Sequence, residues 1–366
     1  MAVLLRRLRK GFRDILFLYK HSQKVPIGVL DKLKMWKNGF LSESHLTYAL
    51  EHNDYRDYLS DHARLKQVTR INGYYAVMLY DKLYFALLLR DFEEHVVKTY
   101  ALIKDRQVTF FGTAENEHLE GILRLCKEKG AVVLKPLVGT QGTGVIMISM
   151  EKNKIIMNGK EVSSEELLSA VKDIDDYLAT GYVRQHEYAS RIFPRTTNTI
   201  RIMTLWDDES NQPFVAAAAH RFGNSLTFPV DSWSKGGISA PIDLNTGTMG
   251  KAAKKPQSGK PHFMERHPET GSQIEGITVP HWDTIKAKTL EMAATLPFIP
   301  YIGWDIIVES KGFKVIEGNN CPDIKLFQIH APLLKDQRIR RFYQRRIAQV
   351  NAGEHRGREY KLPFKV

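Results

Sequence analysis

Cysteine is almost missing from this chain: Cys126 and Cys321 are the two in 366 residues, and they lie far apart. That excludes a disulfide framework. The 13 histidines are scattered without a ligand spacing, so no zinc cage is indicated, and no Ser-His-Asp set stands out. No apolar run is long enough to span a bilayer. Arg6, Arg7, Arg9 and Lys10 interrupt the apolar start, which argues against a signal peptide. Internal repeats and long low-complexity tracts are lacking too. Acidic residues fall short of basic ones, 41 against 53, for a net charge of +12. What remains is ordinary for a globular chain, 43% hydrophobic and 26% charged. The expectation is a cytoplasmic enzyme with a large core in roughly two or three lobes.

The excess positive charge has two concentrations. Leu4, Leu8, Phe12, Ile15, Leu16 and Tyr19 form one helical stripe, ringed by Arg6, Arg7, Arg9, Lys10, Arg13 and Lys20. Residues 1–20 therefore suit an anionic membrane surface, with a peripheral position on its inner face. The alternative, slightly favoured, is a helix whose apolar stripe packs on the body of the protein. The second run spans Arg338 to Arg346, with Arg356 and Arg358 beyond. It could meet an anionic glycan or a lipid pyrophosphate. No nucleic-acid motif stands beside it, which makes nucleic acid the weakest partner.

Two β-rich runs, Tyr301–Glu309 and Phe313–Asn319, flank Ser310-Lys311-Gly312. A three-residue hairpin loop with Gly312 in the left-handed position places Glu309 opposite Phe313. Asp305 then lies opposite Glu317, and Asn319 shares a face with Glu317. Two carboxylates and an amide oxygen are hard ligands suited to Mg²⁺; the alternative is an ordinary hairpin with solvated acids. Both acids sit inside apolar runs, where unpaired carboxylates are costly.

A strand ending in Lys135 leads into Gly139-Thr140-Gln141-Gly142-Thr143-Gly144 and then a β-branched run from Val145. Three glycines in this loop let backbone N–H groups turn toward phosphate. No Gly-Lys-Ser/Thr follows, so this is not a Walker loop. No helix opens here, so it is not a dinucleotide fingerprint. Strand, glycine loop and strand suit a flap over a nucleotide, with a plain glycine turn as the alternative.

Together Lys135, the flap and the Asp305/Glu317/Asn319 hairpin resemble the ATP-grasp superfamily. The middle of the chain narrows the resemblance to the sugar-transfer-associated ATP-grasp family. Its residues are Gln185-His186, Asn198-Thr199-Ile200-Arg201, Asp231 with Gly236-Gly237-Ile238, Gly303-Trp304-Asp305 and Glu317-Gly318-Asn319. Upstream, Trp36, Gly39-Phe40, Asn72-Gly73 and Asp81-Lys82-Leu83 fit the same pattern. Two departures stand out. Ser232-Trp233 follows Asp231 where an Asn-aromatic pair is common, and the hinge Gly181-Tyr182-Val183-Arg184 lacks its usual acid.

The resemblance implies an α+β chain of ATP-grasp fold, two α/β lobes clamping ATP, behind a mainly helical N-terminal region. It implies ATP and one or two Mg²⁺ ions as cofactors, held by Asp305, Glu317 and Asn319. Lys135 and residues Gly139, Thr140, Gln141, Gly142, Thr143 and Gly144 would contact phosphates. Tyr182, Val183 and Arg184 would offer hinge backbone to adenine. Arg201, with Lys135, would serve the phosphoryl transfer. Asn198, Arg221, Asp231, Lys235, Gly236 and Gly237 would face substrate. The implied activity is a carboxylate–amine ligase acting through an acyl-phosphate. Its partners would be a carboxylate-bearing small molecule and a sugar-linked or polysaccharide acceptor. A kinase acting on a sugar or lipid-linked hydroxyl, or a non-catalytic nucleotide-binding module at the membrane, are the alternatives.

The expected divisions are a helical region at 1–70, an α/β lobe at 71–112, a small lobe with the flap at 113–185, a large lobe with the metal site at 186–335, and a basic helix and tail at 336–366. Leu83 to Arg90 reads as a buried helix, and Glu115 to Lys129 as a helix closed by Gly130. Ser163 with Glu166 reads as a capping box. Lys251 to Gly276 reads as a mobile loop over the site.

Overall fold

The computed structural model describes residues 2–113, 115–139, 142–256 and 259–353, with side chains from residue 11 onward. Thr140, Gln141, Arg356 and Arg358 lie outside the described residues. Two antiparallel sheets carry the fold. The first has eight strands: β1 (Thr99–Lys104), β2 (Gln107–Phe110), β3 (Asn116–Glu117), β4 (Ala131–Pro136), β5 (Ile146–Glu151), β6 (Lys154–Met157), β7 (Lys160–Val162) and β8 (Tyr177–Gly181), in the order β3-β2-β1-β8-β4-β5-β6-β7. The second has seven: β9 (Ile200–Asp207), β10 (Gln212–Phe222), β11 (Ile238–Pro241), β12 (Ala252–Lys254), β13 (Phe263–Met264), β14 (Tyr301–Glu309) and β15 (Gly312–Asn319), in the order β13-β12-β11-β10-β9-β14-β15.

Local signals explain the helices around the first sheet. Ser163 accepts from Glu166 N and Glu166 accepts from Ser163 N, so the capping box starts the helix Ser164–Val171. Gly130, at φ +75°, ends the helix Glu120–Lys129. Both helices bury an apolar face against β1, β4 and β5, through Ile122, Leu125, Leu167 and Val171. Strands β1 and β2, expected in a separate lobe ending at residue 112, hydrogen-bond into this sheet through the β1–β8 pairing. The division at 112 therefore cuts one sheet.

Alternation along β9 decides what the second sheet can do. Ile200 and Ile202 enter one core with Trp304, Ile306, Trp282 and Ile285. Met203 and Leu205 point to the opposite face, where Tyr301, Phe342 and Tyr343 cover them. Arg201 shares that second face, beyond the end of its apolar cover. A buried strand thus presents a guanidinium at the edge of its own core.

Several expectations change. Lys251–Gly276 contributes β12 and β13 to the sheet edge rather than hanging over the site. The helix at Lys82–Leu88 buries Phe85 but leaves Tyr84 and Leu87 exposed, so it is half-buried. The basic run 338–346 is taken up by acids. Arg338 pairs with Asp207 (2.6 Å), Arg340 with Asp57 (2.8 Å), Arg341 with Glu209 (3.1 Å), and Arg345 (3.3 Å) and Arg346 (2.8 Å) with Asp208. Four of these pairs tie the C-terminal helix to the end of β9 and the turn after it, and the fifth ties it to Asp57, so the run is matched by acids of the chain itself. Of the N-terminal stripe, the Leu4 and Leu8 side chains lie outside those described; Phe12, Ile15, Leu16 and Tyr19 are exposed, and Leu18 is the inward anchor.

Candidate functional site

Between the two sheets lies a cleft of about 380 Å³. One end is apolar: Val97, Val183 and Ile307 pack together with Ile316, opposite Val133 and Met147. Backbone hydrogen bonds fix this end, with Val97 N donating to Val315 O (3.1 Å) and His186 N to Val308 O (2.7 Å). Tyr182 and Val183 line it, while Arg184 is exposed and outside the lining.

The other end is charged. Asp305 is the cross-strand partner of both Arg201 and Glu317. The hairpin reaches this pairing by a different route from the expected one. Glu309 pairs with Gly312, so the loop is Ser310-Lys311 and Gly312 is a strand residue. That register is one residue off. A bulge at Ile316 restores it, placing Asp305 opposite Glu317 and Gly303 opposite Asn319.

Arg201 grips Asp305 from two nitrogens, Nε on Oδ1 and Nη2 on Oδ2 (2.9 Å). Arg221 Nη2 donates to the same Oδ2 at 3.0 Å and lies 3.4 Å from Asp231 Oδ1. Asp231 Oδ2 accepts from Thr199 N (2.8 Å) and Thr199 Oγ1 (2.6 Å), and Thr199 Oγ1 accepts from Arg221 Nε (3.0 Å). Burial alone would raise the Asp305 carboxyl, but the Arg201 and Arg221 charges hold it below its ordinary range. Glu317 moves the other way, raised by burial and then by the Asp305 charge. Burial also raises Asp231, against the pull of Arg221.

Two lysines complete this end. Lys135 Nζ donates to Ile316 O (3.2 Å), and burial followed by the nearby Lys82 charge brings it down to about 8. Lys82 Nζ donates to Gly139 O at the start of the flap (3.1 Å). Gly142 and Gly144, at φ +68° and +77°, use the glycine-permitted region. A Cβ on Gly142 would run into Val230 Cγ1, so the flap rests on the loop before Asp231.

The structure separates the expected substrate residues. Arg221 and Asp231 line the cleft. Asn198 does not: its amide is buried and engaged by Gln185 Oε1, Phe193 O, Thr196 Oγ1 and Gly223 N. It holds the chain entering β9. Gly237 packs too close to Asp231 O and Phe222 O to admit a Cβ, and Gly236 O accepts from Asn224 (2.6 Å). Lys235 is exposed on the same loop. These three shape the loop and are outside the lining. The sequence reading missed Thr199, which bridges Arg221 and Asp231, and left Lys82 out of the candidate site residues. The Asn-Thr-Ile-Arg alternation placed Thr199 on the Arg201 face and was the available signal.

The donor set fits a hard divalent cation. Two carboxylates stand opposite each other, Asp305 buried and Glu317 half-buried and driven toward protonation, and Asn319 joins them in the cleft lining. Asn319 Nδ2 is turned toward Gly303 O (3.5 Å), which leaves its oxygen for another partner. Asp305 is the most committed of the three, since both its oxygens already accept from arginine. Among the described residues no group of three or more His, Cys, Asp or Glu is placed to hold a metal, so Asn319 is needed to complete this set.

The family model for sugar-transfer associated ATP-grasp proteins matches residues 64–341. No curated protein matches the chain. Among solved structures, D-alanine–D-alanine ligase from Coxiella burnetii is similar at 12% identity and TM-score 0.38, over 76% of this chain and 61% of that one. The corresponding ligase from Bacillus anthracis is similar at 15% identity and TM-score 0.38, over 74% and 69%. The biotin carboxylase domain of 2-oxoglutarate carboxylase from Hydrogenobacter thermophilus, solved with MgADP and bicarbonate, is similar at 16% and TM-score 0.37, over 70% and 46%. The chain thus spans less than two thirds of the Coxiella ligase and of the carboxylase domain.

Proposed function

The chain belongs to the sugar-transfer associated ATP-grasp family, and on that premise we propose that it is an ATP-dependent ligase joining a carboxylate to an amine through an acyl-phosphate. The observation that carries this reading is the charge balance of the cleft. Lys82, Lys135, Arg201 and Arg221 line it with four acids, Asp231, Asp305, Glu317 and Asp323, and Glu317 is driven toward its neutral form. A cleft with four cations gathered at one end and an apolar slot at the other suits a nucleotide: base in the slot, phosphates at the cations.

In the first step a carboxylate oxygen of the substrate attacks the γ-phosphorus, an O–P bond forms, and ADP leaves with the bridging oxygen. In the second, the amine attacks the acyl carbon, the C–O bond to phosphate breaks, and the amine gives up a proton. Lys135 and Lys82 hold the phosphates. Arg201 and Arg221, fixed by Asp305 and Asp231, present their remaining N–H groups to the carboxylate and the transferring phosphoryl group. Mg²⁺ held by Glu317, Asn319 and Asp305 would neutralise phosphate charge. The flap at Gly142 and Gly144 covers the site and excludes water. The family name supports a sugar-linked acceptor, and we infer a polysaccharide precursor and a cytoplasmic step of cell-surface glycan synthesis.

Purified protein with ATP, Mg²⁺, hydroxylamine and a panel of uronic acids and amino acids tests the reading. ADP release with a matching hydroxamate is the expected result, and it identifies the acid. A phosphorylated compound without hydroxamate would replace the ligase by a kinase. Tight nucleotide binding without turnover on any acid would replace it by a binding module.

A further inference from the structure

The N-terminal helices turn their apolar residues the wrong way for a docking element. In the helix Ala2–His21 the inward contacts are Leu18, 1% exposed, Asp14 against His62 (3.3 Å), and Phe17 beneath Lys66 Nζ (4.1 Å). Phe12, 69% exposed, stands on the opposite face with Ile15, Leu16 and Tyr19. The next helix, Val29–Lys37, repeats the arrangement. Met35 is buried, while Val29 and Leu30 are 72% and 82% exposed and Leu33 is open beside them. Tyr19 packs edge-on against Trp36 with ring centroids 5.3 Å apart, which joins the two stripes. An apolar surface shared by two helices differs from singly scattered surface hydrophobes.

Charge says what covers it. Residues 1–37 hold ten Lys and Arg against two acids, Asp14 and Asp31. That is eight of the net twelve positive charges in a tenth of the chain. Arg13, Lys20, Lys24, Lys34 and Lys37 are exposed around the stripes, and Asp14 is turned inward to His62.

We propose that residues 11–37 form a docking surface for an anionic lipid bilayer. Both helices lie flat in the interface, the apolar stripes reach the acyl boundary, and the lysines meet the headgroups. The Tyr19–Trp36 pair sits where amphipathic rings are favoured at such an interface. A second copy is the poorer occupant, because a two-fold contact would press one strongly basic face against another. The surface lies outside the matched family segment 64–341, so it stands independently of the ligase reading.

Flotation of the full-length protein tests this, with vesicles of phosphatidylcholine alone and of phosphatidylcholine mixed with phosphatidylglycerol. Binding to the mixed vesicles alone, weakening as salt rises, is expected. Leu30→Asp with Leu33→Asp, and separately Lys20→Glu with Lys24→Glu, should each lower the partition coefficient at least about tenfold. All four positions are exposed, so unchanged thermal unfolding is the control for folding. ATP turnover in solution should be the same in both pairs. Equal binding to both vesicle types, or no binding to either, would overturn the proposal. So would a concentration-dependent dimer that Leu30→Asp with Leu33→Asp dissolves.

Discussion

Arg201 and Asp305 are cross-strand partners on β9 and β14, and the guanidinium reaches both carboxylate oxygens, with both side chains buried. A pair buried this deeply is costly to break, because the survivor keeps its charge without its partner. Arg201→Met leaves Asp305 with Arg221 alone, at 3.0 Å. The usual cost of orphaning one partner is about 3–5 kcal/mol, and the remaining arginine should reduce it to about 2–3. Urea midpoints measure this. Arg201→Met combined with Asp305→Leu should recover more than half of the loss. A double variant no more stable than the single one would show that the ion pair is not the source.

Glu317 offers the cleaner probe of the metal reading. Replacing Asp305 by Asn would leave the buried Arg201 without its carboxylate and Arg221 with Asp231 alone, which mixes chemistry with folding. Glu317 is raised by burial and by Asp305, so its charge opposes folding. Glu317→Gln removes that charge at nearly constant volume. Stability should hold or rise slightly, while Mg²⁺-dependent ADP release should fall by about a hundredfold or more. Turnover within about twofold of the parent protein would remove Glu317 from the metal set.

The hairpin shows what can be read from the chain and why. Period-two alternation put Asp305, Glu317 and Asn319 together, and alternation survives a register error when a bulge restores it. Nothing local marks Ile316 as the bulged residue. Lys135 and the flap were legible because strand, glycine loop and strand are local signals. Asn198 was not, since its partners at 185, 193 and 223 meet only in the folded chain. The same holds for Arg338–Arg346, whose acids come from residues 57 and 207–209. Lys251–Gly276 looked like a loop because edge strands as short as β12 and β13 leave almost no periodic trace.

Gly142 tests whether the flap must rest on the loop before Asp231. Its φ of +68° and the nearness of Val230 both disfavour a side chain. Gly142→Val should weaken ATP binding at least about tenfold with little change in the unfolding midpoint, since the flap contributes little core. Gly142→Ala should lose less, and Val230→Ala should restore part of that loss by opening room for the new methyl. Isothermal titration with Mg-ATP reads each. Unchanged affinity in Gly142→Val would take the flap out of nucleotide binding.

Acid should unfold this protein early, and His330 is a reason that can be isolated. Its Nε2 lies 3.0 Å from Ser239 Oγ, and burial pulls its pKa down to about 4. His220, against Tyr188 OH at 2.7 Å, is pulled down to about 3 by the same cause. An unfolded histidine titrates near 6.5. Below that value the unfolded chain takes up a proton that the folded one refuses. Stability is therefore fully present above about pH 6.5 and is lost as pH falls toward the folded values, by at most about 1.4 kcal/mol per pH unit for each ring. His330→Gln keeps a donor and an acceptor for Ser239 and removes the titration. Its urea midpoint should match the parent at pH 7 and exceed it at about pH 5. Parallel losses in the two proteins across that interval would show that the folded state accepts the proton at His330 as readily as the unfolded one.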